Sequence, residues 1–404
     1  MARAALVLFD DRKARDWEPF ALTRPAGELL FGAMKLVERV ERALSLECIG
    51  YLTSEHLADF QELGARPVIR PDDLPGDRDL VFWCARAVPT IGRQVAEPDG
   101  PTTYVIDGQP VGMLVRAGDR PDAGFLEDLA LDDHAGGVTA VDGRVLEWIW
   151  DVLLESPEQV GRDLTADVGA VTATLPHGAH KLGDHPVMLG RDVSIEPGTV
   201  FDAREGPIRI EDGVQVRSFT RLAGPAFVGP RSRILGGSYE QISTGPYSYL
   251  RGEVAESVAL GYTNKAHDGH IGHAYIGRWV NLGAFTTNSD LKNNYGAVKV
   301  WTPNGPQDTG RMKMGSLIGD HVKTGIGLLL TTGIVIGAGA NLYGSTMPPK
   351  YVQPFSWGEG SNLGEYRLAQ FLDTAEKAMA RRGVELDERG RRHLERCWRK
   401  GRGG

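Results

Sequence analysis

The sequence predicts three parts in order: an α/β domain over residues 1–165, a parallel β-solenoid of hexapeptide repeats over 166–360, and a short helical tail over 361–404. Three observations carry this. Glycine supplies 52 of 404 residues, almost twice its usual share of ~7%, and residues 183–345 alone hold 27 of them. Those glycines sit in recurring phrases (MLGRDV, FVGPRS, HIGHAY, YIGRWV, NLGAFT, LIGDHV, VIGAGA), and Gly272, Gly277 and Gly283 follow Ile271, Ile276 and Leu282 at intervals of five and six. A helix repeats every ~3.6 residues and a two-sided strand every two, so neither fits. A solenoid does, with each hexad forming one short strand, an aliphatic residue pointing inward and glycine at the corners, where it tolerates positive φ. An irregular glycine-rich loop region would have no reason to set Ile or Leu before successive glycines. The third observation is the alternation of strand-like and helix-like segments before residue 165.

The first strand reads AALVLF (4–9), followed by a polar loop and a helical stretch, GAMKLVERVERALS (32–45). ECIGYLT (47–53), DLVFWCA (79–85), TTYVIDG (102–108) and PVGMLVR (110–116) read as further strands of a mainly parallel sheet. EDLALDDH (127–134) and LEWIWDVLLESPEQVGRDL (146–164) read as helices closing the domain, with the boundary near 165–180. After the solenoid, the proline- and aromatic-rich 348–360 reads as a wrap. The tail then turns helical, is interrupted at Gly383, and holds ten Lys/Arg against five Asp/Glu over 376–404. That pattern fits a solvated helical tail; a phosphate- or nucleotide-facing role is the alternative.

Composition excludes several classes. A formal charge of −8 with a pI near 5.7 argues against a nucleic-acid binder with a broad basic face. Three cysteines (Cys48, Cys84, Cys397) with no CxxC pair exclude a disulfide scaffold or cysteine-rich zinc module and fit a reducing cytoplasm. The N-terminus turns acidic within ten residues, unlike a secretory signal. Residues 324–349 carry no charge over 26 positions, but their apolar residues come in short clusters broken by Gly and Thr, which reads as buried solenoid rather than a membrane span.

Residues 264–296, NKAHDGHIGHAYIGRWVNLGAFTTNSDLKNNYG, resemble the acetyltransferase half of the bifunctional N-acetylglucosamine-1-phosphate uridyltransferase/glucosamine-1-phosphate N-acetyltransferase family. The phrases FDD…LTRP (9–25), NKAHDG (264–269), NSDLKNNYG (288–296), IGDHVKTGI (318–326) and PPKYVQPFSWG (348–358) are similar, in order, to a divergent branch of that family, so the resemblance spans nearly the whole chain. It implies a left-handed parallel β-helix behind a nucleotidyltransferase-like, Rossmann-like domain, assembled as a cytoplasmic homotrimer. It implies acetyl-CoA, or another acyl-CoA, as co-substrate and an amino sugar 1-phosphate such as glucosamine-1-phosphate as acceptor.

Residue by residue, the resemblance places His267 on the catalytic histidine, Asn281 on a substrate-side asparagine and Ala284 on a coenzyme-side alanine. It further suggests Arg251, Glu253, Lys265, His270 and His273 as substrate contacts, and Phe285, Asn294, Tyr295, Lys323 and Thr324 as acyl-CoA contacts. Imidazole suits the chemistry, because an amine must lose a proton as it attacks a thioester. Two departures stand out: the family's GAGT is GAFT here, which puts Phe285 in place of a glycine, and His270 stands where better-known members have Tyr. The stretch 286–315 reads as a loop able to reach a neighbouring column.

In the N-terminal half, the glycine-rich phosphate loop of sugar nucleotidyltransferases is replaced by DDRKARDWEPFALTRPAGELLFG. There Arg12, Arg15 and Arg24 are the candidate nucleotide contacts, for UTP or another NTP. Asp10, Asp11 and Asp151 are the candidate carboxylates for Mg²⁺, which is needed only if nucleotidyl transfer operates. Two further readings stay open. One is a non-catalytic nucleotide-sugar or acyl-CoA binding trimer. The other is a γ-carbonic-anhydrase-like solenoid that collects zinc on His267, His270 and His273.

Overall fold

The computed structural model describes residues 4–403 except 94, 96–97, 99, 132–135 and 167–172. The N-terminal domain centres on a six-stranded sheet in the spatial order Cys48–Leu52, Ala5–Phe9, Leu80–Cys84, Gln109–Val115, Thr102–Ile106, Gly137–Ala140. The apolar run of Ala5–Phe9 is buried at every position, as expected for a strand covered on both faces. This sheet is mixed rather than mainly parallel: Thr102–Ile106 and Gln109–Val115 form an antiparallel hairpin, which also pairs antiparallel with Leu80–Cys84. The cause is the Asp107–Gly108 turn, where both residues take positive φ (50° and 79°), the two-residue geometry that reverses a strand tightly.

The helix expected over 32–45 is shorter, Leu36–Leu44. The one expected over 127–134 lies upstream at Ala123–Asp128, because Asp122 caps its first turn and Leu129 closes it in left-handed conformation; residues 132–134 fall outside the described set. The aromatic run 146–164 forms two helices, Ile149–Leu154 and Ser156–Thr165.

The solenoid stacks parallel strands coil upon coil. One of its nine-stranded sheets runs from Val187–Leu189 to Tyr351–Val352, and Ile276, Ile318, Ile336 and Val352 lie in register as one buried column. Residues 348–360 are therefore a last coil, not a wrap. The repeat glycines serve a purpose other than the expected one. Gly277, Gly283, Gly319 and Gly337 do not adopt positive φ; instead, a Cβ on each would sit 2.4–2.6 Å from an atom of the next coil. They are glycine because coils touch there. Positive φ falls on the corners, often on large residues: Phe219 and Phe285 at one, Tyr247, Tyr262, Trp279 and His321 at a second, Gln241, Glu256 and His273 at a third.

Between Tyr275–Ile276 and Ser316–Ile318, which pair directly, the chain makes a long excursion. Much of it does not reach outward: Val298, Val300 and Met314 join the apolar core of the N-terminal domain, and Asn304 donates to Asp16 at 2.8 Å. Asn294 and Tyr295 lie nearer its exposed side, Tyr295 being 66% exposed. The tail helices, Leu368–Ala380 and Glu388–Arg402, are docked rather than free in solvent. Phe371, Ala375, Leu394 and Cys397 are buried in a cluster with Leu22, Phe60 and Phe355. No helix of the described residues is long and apolar enough to cross a membrane.

Candidate functional site

One coil of the solenoid spans about 17 residues here, so side chains 17 apart meet. Asn264 Nδ2 donates to Asn281 Oδ1 at 2.8 Å, Arg251 Nε to Asp268 at 3.1 Å, and the His270 amide to Thr287 Oγ1 at 2.9 Å. His267 sits on an exposed corner between the strands Asn264–Lys265 and His270–Gly272. The corner is pinned from inside. Lys265 occupies an inward position, in register with Leu250 and Ile234 of the preceding coils, and is 2% exposed. Its Nζ donates to the carbonyls of Arg251 (2.8 Å) and His267 (2.6 Å). Burial pushes its ammonium down to about 8.

On the next coil, the Phe285 amide donates to the Asp268 carbonyl at 2.9 Å, setting Phe285 and the half-buried Ala284 beside the His267 corner. Phe285 is 66% exposed at φ 62°, a left-handed conformation that costs a side-chain-bearing residue ~1–2 kcal/mol and a glycine nothing. Glu253 Oε1 lies 3.3 Å from His270 Nδ1. Arg251, Glu253, Lys265, His267, His270, Ala284 and Phe285 thus gather on one side of adjacent coils. Lys265 is a scaffold residue there, with its ammonium committed to two backbone carbonyls.

Other candidates lie elsewhere. Thr324 faces inward, accepting from the Gly283 amide at 2.9 Å and bonding Thr286 Oγ1 at 2.8 Å. Lys323 turns to the aromatic corner, its Nζ donating to the carbonyls of Trp279 (2.6 Å) and His321 (3.2 Å), and burial pushes it down to about 7. His273 is a buried structural cation: Nδ1 lies 2.8 Å from Asp290 and Nε2 3.2 Å from Glu256. Burial alone would lower its pKa, but these carboxylates outweigh it and raise it to about 9. Among the described residues no three His, Cys, Asp or Glu side chains converge as metal ligands, so the three histidines of the zinc reading are not gathered within one chain.

The His273 cluster sets a pH dependence. Its contribution to stability is whole below the unfolded imidazole's ~6.5 and fades as pH rises through about 9. Thermal melts of the wild type and His273→Gln should therefore converge between pH 6.5 and 9 as the wild type loses its advantage; a gap independent of pH would refute the ion-pair account.

In the N-terminal domain, the strand ends that would face a nucleotide carry internally committed charges. Asp10 accepts from Thr53 Oγ1 at 2.5 Å, and burial raises it to about 7. Asp11 caps the turn Arg12–Arg15 and pairs with Arg86 at 2.6 Å. Asp151 caps its own helix through the amides of Glu147 and Trp148. These carboxylates do not form a Mg²⁺ site as arranged. Arg15 donates to the Asp128 carbonyl at 2.8 Å. Arg24 is not a free phosphate ligand: it is 2% exposed and forks between Glu62 (2.8 Å) and Asp320 of the solenoid (2.6 Å). Arg12 alone of the three candidates is exposed without a hydrogen bond described for it.

Residues 6–167 match the family described as sugar nucleotidyl transferase. A bifunctional sugar-1-phosphate nucleotidylyltransferase/acetyltransferase of Sulfurisphaera tokodaii is 33% identical over 156 residues, covering 33% of this chain and 37% of that protein. The bifunctional protein GlmU of Nocardia farcinica is 27% identical over 245 residues, covering 52% and 43%. The chain thus spans less than half the length of these relatives. Among solved structures, a UDP-N-acetylglucosamine acyltransferase of Arabidopsis is 13% identical over 53% of this chain and 78% of its own, with a TM-score of 0.23. An N-acyltransferase from Bacillus cereus gives 11%, 50%, 91% and 0.15; such scores support no transfer of function. The first domain is thus similar to sugar nucleotidyl transferases, and the chain shares sequence with proteins named as bifunctional nucleotidylyltransferase/acetyltransferases.

Proposed function

We propose that the solenoid is an acyl-CoA-dependent N-acyltransferase acting on an amino sugar 1-phosphate, with His267 as general base. The observation that carries it is the exposed His267 on a corner whose carbonyl a buried lysine holds in place, beside Ala284 and Phe285 of the next coil. As the amine nitrogen bonds to the thioester carbonyl carbon, imidazole takes its proton. Collapse of the tetrahedral intermediate breaks the C–S bond, and the imidazolium returns the proton to the leaving thiolate. The acetyltransferase named for the Sulfurisphaera relative supports the reaction type, and acyl-CoA is the donor in this reading. Asn281, held to Asn264, is assigned to the acceptor side. Asn294 and Tyr295 remain candidates for coenzyme contact.

Phe285, Ile326 with Leu329, and Tyr343 stand exposed on three successive coils (66, 77 with 44, and 44%), apolar surface suited to contact between columns. On this reading three chains close a ring, and the acyl-CoA groove lies between two of them. Light scattering should give about three times 43.9 kDa, independent of reducing agent; a monodisperse monomer at micromolar concentration would contradict the shared groove. For the N-terminal domain a second reading is favoured by the committed charges of Asp10, Asp11, Arg24 and Arg86: it positions the solenoid or holds a nucleotide sugar, without nucleotidyl transfer.

A further inference from the structure

The second corner of the solenoid carries a ladder of rings. Tyr247, Tyr262, Trp279 and His321 stack on successive coils with centroids 4.9, 4.2 and 6.3 Å apart. Its lower part is roofed by two other parts of the chain. Tyr262 and Trp279, with Phe60 and Leu63 of the N-terminal domain and Met379 and Leu386 of the tail, enclose a cavity of about 400 Å³, within the ~300–1,000 Å³ usual for small-molecule sites. It lies at a different corner from His267, and the acyl-transfer reading leaves it unused.

Among the described residues, two buried polar atoms of this wall have no hydrogen-bond partner: Nε of Arg278 and Nδ1 of His321, on residues only 5% and 8% exposed. Buried donors and acceptors are normally satisfied, so the pair marks a place where something else completes the bonding. The floor is electrically closed, because Arg24 pairs with Asp320 at 2.6 Å and Arg278 with Glu62 at 2.6 Å. Burial keeps the His321 imidazole neutral, far below its ordinary value. The rim instead carries the exposed carboxylates Glu385 and Asp387. Aromatic and aliphatic walls, two unpartnered nitrogens, balanced charge within and negative charge at the mouth select against phosphates.

We propose that this cavity binds an uncharged heteroaromatic molecule of nucleobase-to-nucleoside size. Its ring lies against the Tyr262–Trp279 wall, and its carbonyl or ring-nitrogen atoms meet Arg278 Nε–H and His321 Nδ1. Because all three parts of the chain line the cavity, the ligand also fastens the tail helices to the solenoid.

Calorimetry on the full chain with adenosine and with uridine tests this, with AMP as the charged counterpart and indole as a ring lacking acceptors. At least one nucleoside should bind saturably, one per chain, with AMP and indole at least tenfold weaker. Leu63→Trp, at an 85% exposed rim position, should abolish that binding without loss of folding. His321→Phe, which keeps the ladder, should weaken it at least tenfold, and bound nucleoside should slow amide exchange in Glu388–Arg402. Absence of saturable binding by both nucleosides would overturn the proposal. So would binding unchanged in folded Leu63→Trp protein, or AMP binding as tightly as adenosine.

Discussion

His267→Ala is expected to lower the proposed acyl transfer by about 10²-fold or more, the usual worth of a positioned general base, with the fold and the proposed assembly intact. Both halves follow from where the residue sits. The imidazole is exposed on a solenoid corner, outside the buried aliphatic columns. The bond that fixes the corner runs from Lys265 Nζ to the backbone carbonyl of residue 267, which alanine retains. The variant therefore removes a base and leaves its mount. Steady-state kinetics alongside thermal melting separates these effects: turnover near the wild-type rate would rule out His267 as the base, whereas a matching fall in melting temperature would make its role structural.

The largest effect on stability is expected at Asp320. Its Oδ2 accepts from Arg24 Nη2 (2.6 Å), Arg24 Nε (3.0 Å) and Thr23 Oγ1 (2.7 Å), while Oδ1 accepts the Arg278 amide (2.7 Å). The carboxylate is 2% exposed, and with Arg278, which pairs with Glu62, it forms the solenoid's side of the ion-pair network that reaches the N-terminal domain. Asp320→Ala leaves a buried guanidinium with Glu62 as its remaining anion, a change that costs about 3–5 kcal/mol in buried pairs. Asp373→Ala breaks an exposed pair with Lys377 one helical turn away and should cost under about 1 kcal/mol. Urea unfolding of both variants checks the contrast; equal midpoints would mean that the Arg24 network does not hold the junction.

The solenoid was legible because aliphatic–glycine phrases leave a spacing that neither helix nor flat sheet shares. The reason for the glycines was not, since a contact between Gly277 and Asp320 joins coils some forty residues apart. The Asp107–Gly108 hairpin was visible in the sequence, and reading it would have given the mixed sheet. The 17-residue period would likewise have aligned Glu256, His273 and Asp290 and shown His273 to be paired. Lys265 could not be placed inside, because a lysine normally reads as surface and one of its two carbonyl partners, that of Arg251, belongs to the preceding coil. Arg24 misled for a related reason: a basic residue in a phosphate-loop position looks free until Glu62 and Asp320 are brought beside it. The tail's docking depended on Phe60 and Phe355, partners that no pattern within the tail names.

Acyl transfer at the His267 corner is open to direct assay. Incubating the full chain with glucosamine-1-phosphate, acetyl-CoA and UTP, then following free CoA, the acetylated sugar phosphate and pyrophosphate, tests it most directly. Stoichiometric CoA and N-acetylglucosamine-1-phosphate without pyrophosphate is the result expected of an active solenoid behind a silent nucleotidyltransferase domain. Acetyl-CoA left intact with glucosamine-1-phosphate and with other amino sugar 1-phosphates would contradict the account.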